Sequence, residues 1–408
     1  MIEQQYGGKH SVFYFLIVLF SLFLFYPYEF VSVYMPFMPM KEYVIAAFVF
    51  IILVFTGLIS SKTFKIEALP FIIVQIIGFS FIELLHGKFF PIFDYALRML
   101  LAGLMVGLLS NTMGLSNFFR KYNRWITIMA VLGVITWILV NFFNYSPLYF
   151  VPDRADERPI FNYILTFTKS DVFAANTFRY AGFFDEPGAM AYWGLFALLF
   201  NRLFVKDKKI EIVLIVCLLL TFSMGFYLQL LFYFLFFMIS KTNKTRTFFA
   251  FIVVLLMALG ASMMQGTKND YIYESTFGRV ERLLEEGQES DAASGIGNRA
   301  EYQEKAYREF TKSPLTGTAE ADSLNLGDNI FEPLAKYGIL GTLLMYFPLF
   351  YVFFYAAKRK QLDVIKAIII ILIGFFHRPL HMNVLTLFMM YSMLTFVIRK
   401  PVKRLANG

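Results

Sequence analysis

Three arginines carry the side chains best suited to chemistry in this chain. Arg179 immediately precedes Tyr-Ala-Gly-Phe-Phe-Asp-Glu-Pro-Gly188, Arg299 opens a polar stretch in a long acidic segment, and Arg378 occupies the short stretch Phe376-His-Arg-Pro-Leu-His381 between two apolar runs. A guanidinium keeps its charge at any physiological pH, and its planar fork matches a pair of phosphate oxygens. Three such groups at one membrane face would suit a diphosphate held at the level of lipid headgroups. The plainer alternative is that each pairs with one of the carboxylates plentiful in the same segments.

Other chemistries lack their signatures. Gly8-Lys9 and Gly87-Lys88 have neither the preceding glycine nor the following hydroxyl of a phosphate-binding loop. Only four histidines are present, none in an HExxH pattern. His377 and His381 are four apart, but Pro379 breaks a helix between them and Arg378 would repel a cation, so no metal site is expected. Cys217, the single cysteine, lies in an apolar run as a packing thiol without a disulfide partner. No cofactor is implied. Asp94 and Arg98 are one helical turn apart in an apolar stretch and can neutralise each other. The alternative for Arg98 is a place under a lipid phosphate. Glu83 and His86 lie close enough to the end of their apolar run to reach the interface.

The elements that position these groups must be membrane helices. Of 408 residues, 58% are hydrophobic, 19% aromatic and only 16% charged, and the mean hydropathy is +0.60. A soluble domain carries about 25% charged residues and about 45–50% apolar ones. Water could not solvate so apolar a chain, so the expected class is an all-α polytopic membrane protein, a single transmembrane domain over 1–408. Crossing the hydrocarbon takes roughly 20 apolar residues. The first six expected spans are Phe13–Tyr26, Tyr43–Ile59, Ile66–Leu85, Phe93–Leu109, Ile126–Phe143 and Gly188–Phe204. The other six are Ile210–Thr221, Phe226–Ile239, Phe248–Met264, Pro333–Tyr355, Val364–Phe376 and Val384–Ile398. The run from Ile210 to Ser240 reads as two short helices joined by a tight hairpin at Thr221–Gly225.

Basic residues cluster on alternate connections: Lys62 and Lys65; Arg120, Lys121 and Arg124; Arg202 to Lys209; Lys241 to Arg246; Lys358 to Lys360; and Arg399 to Arg404. Positive charge in short loops marks the cytoplasmic side. Both termini are therefore expected inside, and the net charge of +8 is explained without nucleic acid. Two long segments, 144–185 and 265–328, then fall outside and are expected to hold short helices. The second has seven basic residues against thirteen acidic ones. Asn298-Arg-Ala-Glu301 resembles a capping box opening an amphipathic helix over about 298–311, and Arg279–Gly287 is a second candidate helix. Ser313-Pro314 and Gly317 supply the stop.

Several short motifs, taken in order, resemble the bacterial O-antigen polymerase and ligase superfamily. Arg179 to Gly188 is similar to its Arg-x-x-Gly-x-Phe-x-x-Pro element, and Thr221–Gly225 to its Thr-x-Ser-Arg-Gly hairpin, with Met224 in place of the arginine. Gly297-Asn-Arg299 through Ser313-Pro-Leu-Thr-Gly317 resembles the second outer-loop element, and Asp328 to Gly341 the stretch that re-enters the membrane. Ligases carry a histidine where this chain has Asp328, and the Glu-Pro-Gly ending also differs from the ligase type, so the resemblance favours a polymerase.

That resemblance implies a GT-C-like membrane glycosyltransferase of about twelve helices in the bacterial inner membrane, working without metal on its periplasmic side. Its donor and acceptor would be undecaprenyl-pyrophosphate-linked oligosaccharides within the membrane lipid, with a chain-length regulator as a further protein partner. Arg179, Arg299 and Arg378 would stabilise the leaving pyrophosphate. Glu186, Asp328 and His381 are the candidate bases, Glu186 first because it lies in the arginine motif. Its alternative role is to cap the following helix. Asp185, Asn329, His377 and Arg98 complete the expected substrate contacts. The rival readings are a ligase passing chains to a lipid A core, and a lipid-linked oligosaccharide flippase.

Overall fold

The computed structural model describes residues 65–112, 114–152, 159–163, 166–170, 178–182, 184, 186–238, 297–324, 326–327, 329, 331–377 and 383–399. Helices α1 (Leu69–Leu85), α2 (Phe90–Thr112) and α3 (Leu115–Phe143) lead into strands β1 (Tyr149–Pro152), β2 (Pro159–Asn162), β3 (Phe167–Ser170) and β4 (Phe178–Gly182). Next come α4 (Pro187–Phe200), continued by a wider π turn over Asn201–Val205, then α5 (Lys208–Leu219) and α6 (Met224–Tyr233), continued likewise over Phe234–Met238. The remaining helices are α7 (Gly297–Lys312), α8 (Phe331–Lys358), α9 (Leu362–His377) and α10 (Val384–Arg399), with a short 3₁₀ turn at Ala319–Ser323.

The protein is mostly helical, and four of its described helices, α2, α3, α4 with its π turn, and α8, are long and apolar enough to cross a membrane. Nine of the twelve expected spans fall on described helices, while Phe13–Tyr26, Tyr43–Ile59 and Phe248–Met264 lie outside the described residues, as does Arg279–Gly287. The hairpin expected at Thr221–Gly225 is the turn between α5 and α6, and α7 covers the stretch read as an amphipathic helix over 298–311.

Local chemistry sets the boundaries. Pro187, whose fixed φ suits a first helical position, starts α4. Asp207 caps α5 by accepting from Lys209 N at 2.9 Å and Ile210 N at 3.3 Å. Helix α3 begins at Leu115 instead of Ile126, because Phe118, Phe119, Tyr122 and Asn123 form a buried face within a stretch that is otherwise polar.

Helices α1, α2, α8 and α10 pack as one group, α3 to α6 and α9 as another, around a continuous apolar core. Gln75 ties the first group together. Its amide donates to Leu344 O and Met345 O at 3.0 and 3.2 Å and accepts the Tyr391 hydroxyl at 2.7 Å. Among apolar neighbours such a fully paired amide fixes register in a way that apolar packing alone does not. At one end of this group Arg399 grips Glu67 with two bonds of 2.7 and 3.0 Å and also donates to Ser110 O at 3.0 Å. The start of α1, the end of α2 and the end of α10 therefore share one face.

The segment expected to be an outer loop with short helices is instead a four-stranded antiparallel meander in the order β1-β2-β3-β4. Pro152 and Pro159 pair at one end of β1 and β2, and the β3–β4 register shifts between Phe167 and Thr168. It is keyed into the helices. The Thr136 and Thr166 hydroxyls meet at 2.7 Å. Tyr180 on β4 is fully buried and donates to Cys217 O. Gly133 makes room for that ring, since a β-carbon there would stand 2.6 Å from Tyr180 Cδ2.

Candidate functional site

The polar groups of interest gather at the end of the bundle where α5 turns into α6 and where α4 begins. A helix leaves its last carbonyls without intrahelical donors, and α5 ends where water is scarce. The Leu220, Thr221 and Phe222 N–H groups reach back to Cys217, Leu218 and Leu219 O at 3.2, 3.1 and 3.3 Å, and four side chains add further donors along this end. Tyr180 donates to Cys217 O, Thr221 Oγ1 to Leu218 O at 2.7 Å and Tyr227 to Leu219 O at 2.8 Å. Arg179 completes the set: Nε and Nη2 reach Thr221 O at 3.0 and 2.8 Å, and Nη2 also reaches Phe222 O at 2.7 Å. Phe222 takes a left-handed conformation, φ 52°, and turns these carbonyls toward the guanidinium. A buried cation there also meets the negative end of the α5 dipole.

Two nitrogens of the guanidinium expected to meet a diphosphate therefore hold backbone carbonyls. The reason is geometric: β4 runs beside the hairpin, and Arg179 is the donor long enough to cross to it. The same contact joins the Arg-x-x-Gly stretch to the Thr221–Gly225 turn, two motifs read separately in the sequence.

Glu186 stands at the N-cap of α4, half-buried and in extended conformation, without a side-chain bond to the first turn of the helix. Its place at the helix N-terminus keeps its charge beside the positive end of the α4 dipole. Gly182 lies between it and Arg179 with φ 63°, pressed on Met190 so closely that a β-carbon would come within 2.7 Å of the sulfur.

The second pair of motifs also meets. Helix α8 is interrupted at Gly338, where φ 64° and ψ −170° are values only glycine adopts readily. The backbone groups freed by this break bond to the stretch after α7. Ile339 N donates to Pro314 O at 2.8 Å, Leu340 N to Leu315 O at 3.0 Å, and Thr318 N to Ala335 O at 2.9 Å. Irregular backbone among apolar helices requires such internal partners. Glu309, buried on α7, accepts from Lys312 at 2.6 Å and Thr318 at 3.2 Å, which seats α7 on the same stretch. The Glu309 carboxylate, through that bond, holds the Lys312 ammonium above its usual pKa.

Asn329, expected as a substrate contact, is buried and serves α8 instead: Oδ1 accepts Phe331 N at 2.9 Å while Nδ2 donates to Leu326 O. Arg98 pairs with Asp94 through two bonds, 3.1 and 2.9 Å, as the spacing implied. Asp185, Asp328, Arg378 and His381 lie outside the described residues. Arg299 falls in the first turn of α7 and His377 at the end of α9, with neither side chain among those described.

One residue in this region had a blander reading in the sequence. Glu83, in the last turn of α1, is 0% exposed, and neither carboxylate oxygen has a hydrogen-bond donor among the described residues. Nearby, Lys88 bridges to Asp322 at 2.6 Å and to Ala319 O at 2.6 Å, and the Tyr95 and Tyr337 hydroxyls meet at 2.7 Å. His86 Nε2 lies 3.3 Å from Gly317 O. These contacts fasten the α1–α2 turn to the stretch between α7 and α8. The only cue to Glu83 in the sequence was a carboxylate inside an apolar run. No metal-competent group of three or more His, Cys, Asp or Glu occurs among the described residues. No family model matches the chain, and no curated protein gives a significant match to it.

Proposed function

We propose that this protein is a membrane glycosyltransferase that polymerises glycan repeat units carried on undecaprenyl pyrophosphate. The observation that carries the reading is the pairwise meeting of four short motifs distant in the chain: Arg179 with the Thr221–Phe222 turn, and Ser313–Gly317 with the Gly338 break. Motif order alone supports a family resemblance weakly. Motifs that share contacts behave as parts of one construction.

In this reaction the anomeric C–O bond to the donor's pyrophosphate breaks as an acceptor hydroxyl bonds to the same carbon. The hydroxyl proton passes to a base, and the lipid pyrophosphate departs as an anion. Glu186 is the proposed base, half-buried at the start of α4 and in the same motif as Arg179. Arg179 is engaged with the hairpin carbonyls, which leaves Arg299 and Arg378 as the proposed cations for the departing diphosphate. The site faces the periplasm of a bacterial inner membrane, with both chain termini in the cytoplasm.

Complementation of a polymerase-deficient strain tests this. Glu186→Gln and Arg299→Ala, at normal membrane levels, are expected to collapse the long polysaccharide ladder to single repeat units. Full-length ladders from both variants would refute the reading. Complete loss of capping, in place of one-unit capping, would make the protein a ligase.

A further inference from the structure

A second polar feature lies at the opposite end of α4, away from the hairpin. A recess of about 300 Å³ opens there between three segments of the chain. Arg202 lies in the π turn that ends α4 and Lys206 just after it, Lys360 and Gln361 lie in the turn between α8 and α9, Asp363 in the first turn of α9, and Phe396 on α10. Three basic groups against one acidic group leave the wall positive.

The basic groups are weakly committed within the fold. Arg202 Nη1 is 4.0 Å from Glu211, a carboxylate that already accepts the Tyr233 hydroxyl at 2.5 Å, and Nη2 reaches Phe237 O at only 3.5 Å. Lys206 and Lys360 both occupy left-handed backbone, φ 62° and 54°. Each follows the end of a helix, where glycine would fit without strain. Neutralising the helix dipole does not require a lysine at these positions, since Arg202 lies in the last turn before Lys206 and Lys358 closes α8 before Lys360. Two strained lysines on different turns therefore converge on one recess. Backbone of this kind persists where the surrounding structure fixes it, and such positions cluster at ligand sites.

We propose that the recess binds the phosphate of an anionic, glycerol-type phospholipid headgroup. Arg202, Lys206 and Lys360 supply the cationic cradle, and Phe396 offers an apolar side to the lipid. Gln361 also lines the recess and adds a neutral polar group to its wall. Basic recesses between membrane helices suit such lipids. The proposal concerns the face opposite Glu186 and stands independently of the glycan chemistry.

The test is thermal unfolding and native mass spectrometry of the full-length protein in detergent. It is titrated with phosphatidylglycerol, phosphatidylcholine or inorganic phosphate. Phosphatidylglycerol is expected to raise the melting temperature and remain bound, while the other two do neither. The Lys206→Gly/Lys360→Gly variant relieves the backbone strain, so it should melt at or above the wild-type temperature without lipid. It should bind phosphatidylglycerol at least tenfold more weakly. Arg202→Gln, which leaves both turns intact, should weaken binding in the same direction. Undiminished binding by both variants, or equal stabilisation by phosphatidylcholine, overturns the proposal. Equal stabilisation by inorganic phosphate overturns the lipid assignment in favour of a free-anion site.

Discussion

Gly317 and Gly338 lie where two backbones cross with no room for a β-carbon on either. A β-carbon on Gly317 would stand 2.4 Å from the Lys336 carbonyl, and one on Gly338 would stand 2.3 Å from that of Leu315. Both glycines have positive φ, 75° and 64°. Strain and collision act together here, and the colliding atoms are backbone, which cannot rotate aside. Gly317→Ala and Gly338→Ala are each expected to lower stability by more than about 1–3 kcal/mol, the cost of the backbone conformation alone. Thermal melting of purified protein in detergent measures this. An unchanged melting temperature for both would mean that the stretch after α7 does not seat on α8.

Arg179 holds two carbonyls at the end of α5 that otherwise lack a side-chain donor. Arg179→Ala orphans both, at about 1–3 kcal/mol each. Arg179→Lys keeps the charge but loses the fork, so an intermediate melting temperature is expected. Polymer length in the Lys variant separates two roles. Long ladders at reduced stability identify a positioning residue, whereas a stable but inactive Lys variant would put the guanidinium in the reaction itself.

Glu83 buries a carboxylate with no donor. Replacement of an orphaned polar group by an apolar one of similar volume removes a desolvation cost of about 1–3 kcal/mol. Glu83→Leu should therefore raise the melting temperature. A fall would show that a ligand or a further chain segment supplies the carboxylate with a partner.

Arg399 joins α10 to Glu67 and to the end of α2, half-exposed to solvent. Ion pairs in that setting contribute about 0.2–1 kcal/mol and weaken with salt. Arg399→Ala should lower stability by about that amount at low ionic strength, with the difference from wild type shrinking in 1 M salt. A salt-independent loss would point to the hydrogen bonds to Ser110 and Asn111.

The helices were legible in the sequence because long apolar runs flanked by charge admit few other readings. Even the short pair α5 and α6 followed from a run too long for one span. The sheet was not. Its strands are four or five residues long, and segments such as Pro159-Ile-Phe-Asn162 are too brief to establish an alternating pattern. The sheet also seats on α3, through Thr136 and the space above Gly133, contacts that no local pattern announces. The early start of α3 was hidden for a related reason: Arg120, Lys121 and Arg124 mask a buried face that becomes evident only with its neighbours in place. Of the site, the Asp94–Arg98 pair was readable from spacing. The seat of Arg179 on Thr221 and Phe222 was not, because no local pattern announces a contact across forty residues of chain.

The anchoring of β4 has a consequence for how the sheet can move. With Tyr180 plugged beneath Gly133 and Arg179 latched to the hairpin, the sheet is a fixed rampart beside Glu186 and cannot lift as a flap.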